Sequence, residues 1–133
     1  MNIEDCLAIE SVLAWYGHLV DSQAWERFHE VFTEDAVFDA TSLKLPLMAT
    51  LSGIRDGFAG MAHPVAHLTT NVVFGDDSGY SEGPVKVSSK FLCPLRGGKV
   101  LTGEYHDTLV KTGNGWRIAK RRVEVLRPRE NSL

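Results

Sequence analysis

Near the N-terminus, apolar residues recur at helical spacing: Cys6, Ile9, Leu13, Tyr16 and Val20 follow one another by three or four positions, one stripe of an amphipathic helix. Asn2 stands where such a helix needs a side-chain cap. Asp21-Ser22 reads as the next N-cap, and Trp25, Phe28, Val31 and Phe32 predict a second, shorter helix ending near Thr33. Ala36–Ala40 is short and β-leaning. After a loop with Pro46, a weaker helical pattern, interrupted by glycines, predicts a third helix over Gly53–Met61.

Beyond His63-Pro64 the pattern changes to runs rich in Val, Thr, Phe and Tyr. These predict strands over His67–Phe74, Pro84–Leu95, Val100–Thr112 and Trp116–Leu126. Arg96-Gly97-Gly98 and Gly113-Asn114-Gly115 mark hairpins between the second and third and between the third and fourth. Helices first and a meander afterwards is α+β order, with helices on one face of an antiparallel sheet.

At 133 residues the chain has the length of one domain, read as spanning 1–133 without a linker or repeat. A net charge of −3 leaves no basic excess to neutralise phosphates, which argues against nucleic acid as a partner. No apolar run approaches the ~20 residues of a membrane span. Two cysteines, Cys6 and Cys93, make neither a disulfide framework nor a CxxC site, and the N-terminus lacks the order of a signal peptide. A cytoplasmic chain with free thiols is the expectation. No glycine-rich phosphate loop is visible, so no cofactor is expected. His63 and His67 have i, i+4 spacing, but Pro64 intervenes and the second opens a strand, so no metal is expected there either.

Several blocks taken in order carry a family resemblance. They are Tyr16-x4-Asp21-x3-Trp25, Val31–Asp39, His67-x3-Asn71, Gly103–Val110 and Gly115–Ile118. Together they resemble the SnoaL-like group of the nuclear transport factor two-like superfamily, from about Ile3 to Arg127. The resemblance implies three N-terminal helices packed in the concave face of a strongly curved antiparallel sheet, a cone-shaped α+β barrel, often dimeric. It implies a pocket for a small hydrophobic or aromatic ligand. It does not single out an activity, because the family contains dehydratases, isomerases, cyclases, epoxide hydrolases and non-catalytic subunits.

The same resemblance nominates residues. On the strand over Val100–Thr112, Gly103, Tyr105, Asp107 and Leu109 share one face, which the resemblance turns inward. Tyr16 is similar to the phenol that ketosteroid isomerases place on an enolate, and Asp107 to their neutral carboxylic acid. Their base position falls on Ala40, which argues against that isomerisation. Asp21 and His67 match the Asp–His pair of scytalone dehydratase, an arrangement that orients an imidazole for acid–base work. That enzyme's further tyrosines fall on Val20 and Ala40, and its late Ser and Asn on Gly103 and Tyr105, so a substrate other than scytalone is implied. Tyr105, Asn71, Cys93 and Trp25 are the expected ligand contacts.

Each residue also has a plain structural reading. Asp21 could be only a helix cap, His67 and Tyr16 only core, and Asp107 a buried structural hydrogen bond. His63 is expected at the surface, and Asp35 and Asp39 as caps or partners of Arg121 or Arg122. The leading expectation is a cofactor-independent lyase or dehydratase, or else an isomerase, acting on a small apolar ring compound. The alternative is a ligand-binding module or the small subunit of an aromatic-ring dioxygenase.

Overall fold

The computed structural model describes residues 1–75 and 83–133. Helix α1 spans Ile3–Asp21, and Asn2 Oδ1 accepts the Asp5 N–H at 2.8 Å as its cap. The stripe seen in the sequence is buried at Ile9, Leu13, Tyr16 and Val20, against the sheet. Asp5, also buried, accepts hydrogen bonds from Trp116 Nε1 at 2.9 Å and Lys111 Nζ at 3.2 Å, fastening the helix start to the last hairpin. The Trp116 bond, more than any other influence, holds the Asp5 carboxyl below its usual range.

The second helix is a 3-10 helix over Trp25–Glu30, shorter than the sequence predicted and with no side-chain cap. Apolar positions three apart suit a 3-10 helix as well as an α-helix. Val31 has already left it: its carbonyl accepts the Ile118 N–H at 2.7 Å, so β1 starts at Phe32 and runs to Asp39. A one-turn 3-10 helix (Thr41–Leu43), the two-residue β2 (Met48–Ala49) and α2 (Leu51–Ala59, capped by Thr50) follow. The remaining strands are β3 (Leu68–Phe74), β4 (Val85–Pro94), β5 (Val100–Thr112) and β6 (Gly115–Val125).

These strands form a six-stranded sheet in the order β2-β1-β6-β5-β4-β3. The expected strongly curved antiparallel cone is corrected in two respects. First, the sheet is mixed: β1 lies parallel to β6, with Phe38 opposite Arg121, while the other pairs are antiparallel. The chain must pass from one end of the sheet to the other between β1 and β6, and that long return permits a parallel pair. Second, β2 and β3 are its two edges and do not pair, so the sheet is open, neither closed nor strongly curled. The α+β class stands, with α1, the Trp25–Glu30 helix and α2 as its three longer helical segments. Among the described residues no helix is long and apolar enough to cross a membrane.

An irregularity in β6 decides which of its side chains reach the core. β6 buries Trp116 and Ile118, then Arg121 and Val123. Strict alternation would have turned Lys120 and Arg122 inward. A register shift opposite Thr108 and Leu109 adds one residue and reverses the faces. A second shift in β3, between Thr70 and Val73, contains Asn71 with φ 53°.

Candidate active site

A cavity of about 540 Å³ opens between the helices and the inner sheet face. Phe38, Phe58, Phe91, Leu95 and Leu101 make its wall largely apolar, and its polar members are Tyr16, His63, His67, Cys93, Arg96 and Tyr105. No carboxylate belongs to this wall among the described residues.

His67 joins α1 to the cavity. The last residue of α1, Asp21, takes the His67 backbone N–H on Oδ2 at 3.1 Å and the ring Nδ1 on Oδ1 at 2.7 Å. A carboxylate only accepts, so Nδ1 carries the proton and Nε2, on the far edge of the ring, is left as a base. The ring is 8% exposed and the Asp21 carboxylate 30%. Burial lowers the proton affinity of His67, outweighing the opposite pull of Asp21, so the imidazole is neutral at neutral pH. Close approach of the two elements depends on Gly17, where a Cβ would lie 2.8 Å from the His67 carbonyl oxygen. Asp21 therefore caps no helix: both its oxygens are spent on one residue, 46 positions away.

Tyr16 and Tyr105 meet edge to face at 5.8 Å between ring centroids, and Tyr105 stacks on Phe91 at 4.7 Å. Desolvation holds both phenols well above their ordinary range, so each stays protonated as a donor. No hydrogen bond to the Tyr105 hydroxyl is found among the described residues. Burial pushes the Cys93 thiol up to about 11, which leaves it uncharged and a poor nucleophile at neutral pH.

Besides Asp21, which reaches the cavity only through His67, three nominated residues lie outside its wall. Asp107 faces inward but is fully enclosed, and both its oxygens accept from Arg121, Nε at 2.8 Å and Nη2 at 2.9 Å. Asn71 is exposed at the β3 irregularity, its Oδ1 accepting the Thr70 hydroxyl. Trp25 packs on Phe28, Phe58 and His63 behind the wall. Conversely, His63 is not a surface residue: it lines the cavity and hydrogen-bonds through Nε2 to the Phe58 carbonyl at 2.8 Å. Asp35 and Asp39 accept from Thr33 and Thr41 rather than from either arginine.

Arg121 is the residue that sequence reasoning missed. It is 0% exposed, with its guanidinium carbon 3.8 Å from the Tyr105 ring centroid and 4.3 Å from that of Tyr16. Nη1 has no hydrogen-bond partner. The one sequence signal, an arginine two positions before Val123, is hidden by the added residue in β6.

The sequence matches the SnoaL-like domain over residues 1–122. The chain belongs to the SnoaL-like family. Among solved structures, this SnoaL-like chain is similar to a proposed aromatic ring hydroxylase from Novosphingobium aromaticivorans: 31% identity over 96% of this chain and 93% of that one, TM-score 0.78. A proposed scytalone dehydratase from the same organism shares 20% identity over 95% and 87% of the two chains, TM-score 0.75. The beta subunit of a proposed aromatic-ring-hydroxylating dioxygenase, again from that organism, shares 17% over 95% and 92%, TM-score 0.70. The last two likenesses are of fold alone. No curated protein matches the sequence.

Among the described residues, the grouping with metal-ligand chemistry is Glu104, His106 and Glu124, on the opposite sheet face. It is internally paired: His106 Nε2 lies 2.9 Å from Glu124 Oε1, Lys90 Nζ 3.0 Å from Glu104 Oε2, and Arg122 Nη1 3.7 Å from Glu124 Oε1.

Proposed function

We propose that this SnoaL-like protein is a cofactor-independent acid–base enzyme, a lyase of the dehydratase type or an isomerase, acting on a small ring ketone. The observation that carries the reading is the Asp21–His67 pair at the edge of an apolar cavity, with a neutral imidazole and a free Nε2. In this mechanism Nε2 removes a proton from the carbon beside the ring carbonyl, and Asp21 stabilises the imidazolium that forms. Negative charge gathers on the carbonyl oxygen, which accepts hydrogen bonds from the Tyr16 and Tyr105 phenols. In elimination, the electrons of the broken C–H bond form a C=C bond as the β C–O bond breaks. The imidazolium then gives its proton to the departing hydroxide, releasing water. Returning that proton to a ring carbon instead is isomerisation. Asp107 serves in this scheme as the counter-charge of Arg121.

Proton abstraction can be tested without the natural substrate, by NMR of deuterium uptake next to the carbonyl of ring ketones such as 2-tetralone. The protein should accelerate exchange, and His67→Ala should slow it by at least ~10²-fold with folding intact. Exchange at the buffer rate, or exchange indifferent to His67→Ala, overturns the proposal. Ketone binding without exchange would return the chain to the ligand-binding alternative. Assembly as a homodimer through the outer sheet face, where His106, Thr108 and Val110 stand half-buried, belongs to the same proposal. A light-scattering mass near that of one 14.7 kDa chain would rule it out.

A further inference from the structure

We propose that Arg121 sets the charge preference of the cavity, making its Tyr16–Tyr105 side a site for the oxygen of an anionic ring compound, a phenolate or enolate. The inference rests on the acid–base reading for its chemical setting, but its test does not depend on turnover.

Arg121 spends one edge of its guanidinium, Nε and Nη2, on Asp107 and leaves Nη1 without an acceptor. Its positive field is thus neutralised on the Asp107 side and uncompensated on the other. The plane is covered by two aromatic rings, at 3.8 and 4.3 Å from its carbon, and both rings belong to the cavity wall. Arg121 itself is enclosed, so it acts through the phenols and is a positioning residue. A cation over a phenol draws charge from the ring and strengthens the O–H as a donor. At both phenols the pull of Arg121 toward ionisation exceeds the opposing push of Asp107. With no carboxylate in the wall among the described residues, an incoming oxyanion meets donors and no like charge. A neutral ring oxygen would accept the same hydrogen bonds, but without the added strength that charge gives them.

The probe is 4-nitrophenol, whose ionisation is read by its absorbance, with nitrobenzene as the chargeless isostere. Bound to the wild-type protein, the probe should ionise at least about one pH unit lower than in water, a tenfold preference for phenolate. Arg121→Met combined with Asp107→Leu removes both buried charges together, which proteins often tolerate. In that variant the shift should vanish while nitrobenzene binding persists. Arg121→Gln with Asp107→Asn is a second charge-free version with the same expectation, should the first fail to unfold cooperatively. Equal shifts in wild type and variant, binding of neutral nitrophenol by the wild type as tightly as or more tightly than nitrophenolate, or no binding at all would each overturn the role of Arg121. His67-dependent exchange at a ring ketone is decided separately by its own assay.

Discussion

Replacing Arg121 alone by Met leaves the Asp107 carboxylate enclosed, with neither of its two donors. An unpaired buried carboxylate escapes by taking up a proton. For an ordinary aspartic acid this costs about 4 kcal/mol at pH 7, since each pH unit is worth about 1.4 kcal/mol. Breaking a buried ion pair from one side typically costs about 3–5 kcal/mol, in agreement. Two cation–π contacts, at 3.8 and 4.3 Å, are lost as well. The variant should therefore lose about 4–6 kcal/mol at pH 7, a large share of the ~5–15 kcal/mol of a typical domain. The sign of the pH dependence follows from proton counting. In the variant the folded state holds a proton that the unfolded state releases at neutral pH, so its deficit should shrink by about 1.4 kcal/mol per unit on going from pH 7 to 5. Removing Asp107 too, as Leu, should recover at least about 2 kcal/mol of the loss, because no lone charge remains. Urea unfolding followed by tryptophan fluorescence at pH 7, 6 and 5 measures all three quantities. A cost below about 1 kcal/mol for Arg121→Met, or a deficit independent of pH, would refute this account of the buried pair.

For His67, burial lowers the folded-state proton affinity below the unfolded value, so stability should decline as pH falls through about 6.5, where the unfolded ring begins to charge. Asp21→Asn removes the influences that raise His67, and a histidine NMR titration should find its midpoint lower still; an upward move would contradict the assignment. With its thiol pushed up to about 11, Cys93 should resist iodoacetamide at pH 7.5 in the folded protein and react once urea unfolds it, as mass spectrometry of the labelled peptides would reveal. Gly17→Ala should cost about 1–3 kcal/mol, because the added methyl meets backbone at His67 rather than a yielding side chain. It should also weaken the Asp21–His67 contact, seen as a changed His67 titration.

The helical stripe of α1, the positions of β3 to β6 and their hairpins were legible because periodicity is a local property. Spacings of three and four give one face of a helix, and alternation gives one face of a strand. The inward set on β5, Gly103, Tyr105, Asp107 and Leu109, is buried as alternation implies. The Asp21–His67 pairing was legible only through resemblance, since the two lie far apart in sequence. Tertiary structure alone decided the rest. Where Trp25–Phe32 ends its helix depends on a backbone bond from Ile118, so local spacing allowed both a longer helix and the earlier strand. The parallel β1–β6 pair, which sets Phe38 opposite Arg121, joins strands far apart in the sequence, and the open sheet comes with it. Above all, one extra residue in β6 turned Arg121 into the core and its neighbours out, giving Asp107 its partner. A strand's period is two, so a single inserted residue reverses every side chain beyond it, and nothing in the local sequence marks where the partner strand forces that insertion.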